Sequence, residues 1–204
     1  MVNLILKDIL IQKNMLIIYI ATIILYLLVS VSPVFIVFVY SIVFIMNAFS
    51  SDEKDNANIL LNSLPYTRKE IVSSKYIGAF IFTGLFMCYT YVLDFLLNGQ
   101  EVLVLWKEIL LIMGLVMIAM SFILPISYQF KTKHLAIVSV TLFGIYMVMV
   151  NYFVPDFNGQ VRALVQKFMA VQELQLYLIS TVIIIILYTG SWLLSIRIYE
   201  RKAF

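Results

Sequence analysis

Long runs without a charge, separated by short polar stretches, dominate the chain. The first extends from Asn14 to Ser51. As one helix at 1.5 Å per residue it would be roughly 57 Å long, against about 30 Å of hydrocarbon in a bilayer. Ser30-Val-Ser-Pro33 divides it, because proline suits the first turn of a new helix. The pattern predicts a hairpin with spans at about 15–30 and 34–50. Later apolar runs predict spans at about 76–95, 109–128, 136–154 and 176–196. Pro125 is expected to kink the last turn of the fourth. The expected fold is a single all-α integral membrane domain over 1–204 with six transmembrane helices.

Three pieces between the runs have helical patterning of their own. Near the N-terminus, apolar residues at 2, 5, 6, 9 and 10 alternate with charges at 7, 8 and 13. That spacing suits an interfacial helix lying along the inner membrane surface. No small-x-small cleavage site precedes the first long run, so a cleavable signal peptide is not expected. Between spans two and three, Asp52, Glu53, Lys54 and Asp55 read as a solvated charge cluster, followed by a short helix over Ala57–Leu61. Pro65 disfavours helix at Leu64. Thr67-Arg-Lys-Glu70 then reads as a capping box, with Ile71 and Val72 opening a helix that continues into span three. Between spans five and six, Val161, Leu164, Val165, Phe168 and Val171 share a face, predicting an outer amphipathic helix over 160–174.

Composition sharpens this picture. Hydrophobic residues make up 63 % of the chain and charged residues 12 %, with a mean hydropathy of +1.03. A soluble domain has about 25 % charged residues, so this chain has too little polar surface to live in water. The lysines and arginines set the orientation. With the N-terminus inside, eleven fall on the cytoplasmic side: Lys7, Lys13, Lys54, Arg68, Lys69, Lys75, Lys131, Lys133, Arg197, Arg201 and Lys202. Only Lys107, Arg162 and Lys167 fall outside. Both termini are therefore expected in the cytoplasm. A net charge of +3 does not point to nucleic acid.

Candidate chemistry is sparse. The sequence contains no P-loop, no His-Glu-x-x-His and no Gly-x-Ser-x-Gly elbow. Its one histidine, His134, and one cysteine, Cys88, cannot build the usual zinc site. No metal, no cofactor and no catalytic residue is expected, and Cys88 reads as a lipid- or core-facing thiol. Asp94 is the one acid well inside a predicted span. It can line a polar pathway, pair with Lys107 or reach the outer interface. Asn47 and Ser121 are milder polar residues of the kind that form interhelical hydrogen bonds. A paired-carboxylate intramembrane enzyme does not fit this inventory. A non-transporting immunity factor or scaffold does fit it.

One stretch carries a resemblance. Asp52/Glu53, Leu60-Leu61-Asn62-Ser63-Leu64-Pro65, Thr67-Arg68-Lys69-Glu70-Ile71-Val72 and Lys75-Tyr76 resemble the loop after span two in permease subunits of the type-2 ATP-binding-cassette (ABC-2) transporters. The resemblance implies an exporter permease whose loop at 56–76 is a coupling helix docked on a separate ATPase. ATP and Mg would then be bound by that partner. It makes Leu60, Leu61, Leu64, Pro65, Thr67, Arg68, Lys69, Glu70 and Ile71 the candidate coupling residues. It also implies the outer helical element before span six. Six spans are few for a pathway, so a homodimer or heterodimer of permeases is expected. Among small Gram-positive members, the chain is similar to permeases that export amphipathic peptides, such as phenol-soluble modulin exporters. Export of antimicrobial peptides, lipids or drugs is the alternative.

Overall fold

The computed structural model describes residues 2–29, 31–53, 65–98, 106–130 and 174–201. They form six helices: α1 (Val2–Ile11), α2 (Lys13–Leu28), α3 (Pro33–Glu53), α4 (Arg68–Asn98), α5 (Trp106–Gln129) and α6 (Leu174–Arg201). The predicted span at 136–154, the outer helix up to residue 173 and the short helix at 57–61 lie outside the described residues, as does His134.

Among the described residues, four helices are long and apolar enough to cross a membrane: Pro33–Asp52, Arg68–Leu97, Trp106–Gln129 and Tyr177–Arg201. The pair α1 and α2 passes the same test together, but is bent by 69° at Gln12. The bend separates α1, which carries Lys7 and Asp8, from α2, whose only charge is Lys13 at its first position. The helix α2 ends at Leu28 and α3 begins at Pro33. Pro33 takes the first helical position of α3, and the Ser32 carbonyl accepts from Phe35 and Ile36. The helix α3 continues past the predicted end at 50 to Glu53. Asp52 is 6 % exposed, so it does not belong to a solvated cluster. It is drawn into the helix because positively charged partners await it inside the fold. The helix α5 continues through Pro125 to Gln129.

The core joins α2, α3 and α4 through aromatic rings. Phe44 meets Phe82 at 4.2 Å between centroids, and Tyr19, Tyr40 and Phe86 surround them edge-on or tilted. The most extensive pairing is between α5 and α6. Gly114 permits it: a Cβ there would lie 3.1 Å from Ile184 Cδ1. Outward faces are apolar, as with Leu178, Val182 and Ile186 on α6, which suits lipid and not water. Several helix hydroxyls bond within their own helix. Ser41, Thr83 and Thr181 each donate to the carbonyl four residues earlier. Cys88 is exposed on α4, on the lipid-facing option of its two expected placements.

Candidate functional site

The base of α4 is where the polar chemistry gathers. Pro65 sits at a bend and α4 begins three residues later. The capping box closes in both directions. The Thr67 amide donates to Glu70 Oε2 at 2.8 Å, and the Glu70 amide donates to Thr67 Oγ1 at 3.2 Å. These bonds satisfy amides that the first turn of a helix leaves without partners. From this cap a single helix of 31 residues runs to Asn98. It is roughly 46 Å long, more than the hydrocarbon thickness of about 30 Å.

Four ties hold that base to its neighbours. Arg68 donates to the carbonyls of Tyr199 and Glu200 at 3.3 and 2.7 Å. These are last-turn carbonyls of α6, which lack intrahelical partners and carry the negative end of the helix dipole. Trp192 Nε1 of α6 donates to Ser73 Oγ at 3.1 Å, and the indole stacks on the Tyr76 ring. Lys75 reaches Asp8 on α1 and Asp52 on α3, with its ammonium 5.4 Å from the Phe49 ring.

Tyr76 makes the fourth tie, and its hydrogen bonds have a fixed direction. Its hydroxyl lies 2.7 Å from both Ser191 Oγ and Ser195 Oγ. The Ser191 hydroxyl donates to the Ser121 carbonyl. A hydroxyl has one proton, so Ser191 must accept from Tyr76. Tyr76 must then accept from Ser195. The chain of donation runs Ser195, Tyr76, Ser191, Ser121, crossing from α6 to α4, back to α6 and on to α5. Tyr188 adds a bond from its hydroxyl to the Tyr76 carbonyl at 2.7 Å.

The candidate coupling residues divide by position. Thr67 and Lys69 are exposed, as is Pro65. Glu70 and Arg68 are half-buried, and Arg68 is committed to α6. Ile71 is 5 % exposed and belongs to the core. Leu60, Leu61 and Leu64 lie outside the described residues. Of the polar span residues, Asn47 donates to Tyr19 Oη at 2.5 Å, an α3–α2 hydrogen bond. Ser121 donates to the Met117 carbonyl at 2.7 Å. Asp94 is half-buried near the far end of α4. There Tyr91 donates to Glu108 of α5 at 2.9 Å, while the Lys107 ammonium lies over the Trp106 and Tyr177 rings.

Sequence reading missed the pairing of Lys75 with Asp8 and Asp52, and the Tyr76–serine chain. The Lys-Tyr pair was visible as part of a motif, but its partners lie 67 and 119 residues away, and no local spacing reports them. Among the described residues no group of three His, Cys, Asp or Glu side chains could hold a metal ion. The arrangement offers a stiff cap, an exposed cation at Lys69 and firm attachment to three other helices. A family model described as "ABC-2 family transporter protein" matches residues 3–200. No curated protein and no solved structure matches the chain.

Proposed function

The chain belongs to the ABC-2 transporter family, and from that premise we propose that it is a permease subunit driven through the base of α4. Membership makes it a membrane permease of an ABC exporter that works with an ABC ATPase. The ATPase is a separate subunit that docks on the segment at 56–76. The chain itself binds no nucleotide and catalyses nothing. Two permeases, identical or different, enclose the pathway. Both termini face the cytoplasm, in keeping with the eleven-to-three distribution of basic residues. The cargo is an amphipathic or hydrophobic peptide, as in the small Gram-positive permeases that the loop resembles.

One observation carries the reading: the base of α4 is capped, and it is continuous with a span and tied to α1, α3 and α6. A loop that yielded under load would absorb a displacement, whereas a helix built this way passes it on. The test is copurification from membranes in mild detergent. Glu70→Lys and Leu64→Asp are expected to abolish recovery of the ATPase while the chain still inserts. Undiminished recovery with both variants would remove the coupling role. A lone reading frame with no neighbouring P-loop ATPase would favour an immunity factor or scaffold instead.

A further inference from the structure

Four charged side chains close a ring at the Arg68 end of the bundle. Lys7 and Asp8 come from α1, Asp52 from the last turn of α3 and Lys75 from α4. Lys75 Nζ lies 2.9 Å from Asp8 and 2.7 Å from Asp52. Lys7 pairs with Asp52 and lies 3.3 Å from Asp8. Each lysine therefore meets both carboxylates, and each carboxylate both lysines. Asp8, Asp52 and Lys75 are nearly sealed, at 3, 8 and 4 % side-chain exposure, while Lys7 is 26 % exposed.

Charges taken out of water are costly, and apolar residues of similar size often stabilise a fold as well or better. A ring of alternating sign has a property that apolar packing lacks. It can be divided without stranding a charge, but along few lines. Lifting α3 away removes Asp52 alone and leaves two lysines with one carboxylate. Lifting α4 removes Lys75 alone. Lifting α1 removes Lys7 together with Asp8, adjacent in the chain, and leaves Asp52 with Lys75. Only this last division gives two neutral pairs, and an unpaired buried charge is what makes a separation prohibitive.

The joint at the other end of α1 suits the same movement. Gln12 separates α1 from α2 at the 69° bend. Its Nε2 donates to the Phe44 carbonyl at 3.2 Å, but its buried Oε1 has no hydrogen-bond partner among the described residues. Hinges are typically such element-terminal positions. The outward face of α1, with Val2, Leu6 and Leu10, is already exposed, and Leu4 is its one fully buried apolar side chain.

We propose that α1 is a detachable strap. Docked, it closes the ring across the ends of α3 and α4. Released, it turns about Gln12 and carries the Lys7–Asp8 pair with it, while Asp52–Lys75 keeps α3 and α4 joined. The strap stands whichever protein docks on the segment at 56–76.

Two double variants test it, each removing one charge of either sign. In Lys7→Met/Asp8→Asn the surviving pair joins α3 to α4 and nothing in the ring holds α1. In Lys7→Met/Asp52→Asn the surviving pair, Asp8–Lys75, holds α1 to α4. Amide exchange is measured on the chain in lipid nanodiscs. Exchange over residues 2–11 is expected to accelerate roughly tenfold or more in the first variant and by less than about threefold in the second. Equal acceleration in both, or none in either, overturns the proposal. Should a variant fail to accumulate, spin labels at Asn3→Cys and Lys69→Cys in a Cys88→Ser chain keep the ring intact. Two distance populations are expected, and a single narrow one overturns the strap.

Discussion

The most informative single atom is the Tyr76 hydroxyl, because it both accepts and donates. Tyr76→Phe removes both bonds in one step, leaving the Ser195 proton without its acceptor. A loss of about 1–3 kcal/mol is expected, read as a lower melting temperature of the purified chain. Ser195→Ala removes one bond of the chain and is expected to cost less. Glu70 separates two roles that the sequence superimposes. Glu70→Gln keeps an acceptor for the Thr67 amide, as capping boxes allow, but removes the charge. It is expected to leave the melting temperature close to that of the parent, while Glu70→Ala, which removes the acceptor of the Thr67 amide, lowers it. If Glu70→Gln also weakens ATPase recovery, the charge itself takes part in docking. The cap was legible in four letters because both partners lie within one helical turn. The pairing of Asp8 with Lys75 was not, since a buried salt bridge across 67 positions leaves no periodic trace. Asp52 was misplaced for the same reason: beside Glu53, Lys54 and Asp55 it reads as solvated, and only the fold brings two lysines to it.

Helices α3 to α6 were readable because a charge-free run of membrane length leaves little choice of element. What their sequences do not display is the depth of approach between them. Gly114 looks unremarkable in α5 until Ile184 is seen 3.1 Å from where its side chain would begin. Gly114→Leu is expected to force α5 and α6 apart at a cost of about 1–3 kcal/mol. Gly114→Ala meets a flexible methyl tip and should be milder, and thermal unfolding in detergent distinguishes the two. Continuity of α4 is the second property at this scale. Ile77→Pro removes a helical hydrogen bond just past the base and kinks the helix. If the ATPase docks on 56–76 as proposed, it should still copurify, because that segment and its cap are intact, but its stimulation by cargo should be lost. Stimulation that survived would mean that force reaches the spans by another element.

At the scale of the whole molecule, the distribution of charge and the distribution of polar ties agree. Arg68, Ser73, Lys75 and Tyr76 fasten the base of α4, on the side to which the charge pattern assigns most basic residues. Single cysteines at positions 69 and 107, in a Cys88→Ser chain, test the orientation. A membrane-impermeant maleimide applied to intact cells is expected to label position 107 and to reach position 69 only after permeabilisation. The composition announced a membrane protein at once, and the loop motif suggested its family, but cargo is written in neither. Hydrophobic, aromatic spans serve lipid contact and greasy cargo alike. The length of α4 sets a scale for what the bolted base can do. In a rod of 31 residues, a tilt of about 5° at one end becomes a displacement of about 4 Å at the other. If the base is driven as proposed, a stroke too small to see there is sufficient to part the far end by that distance.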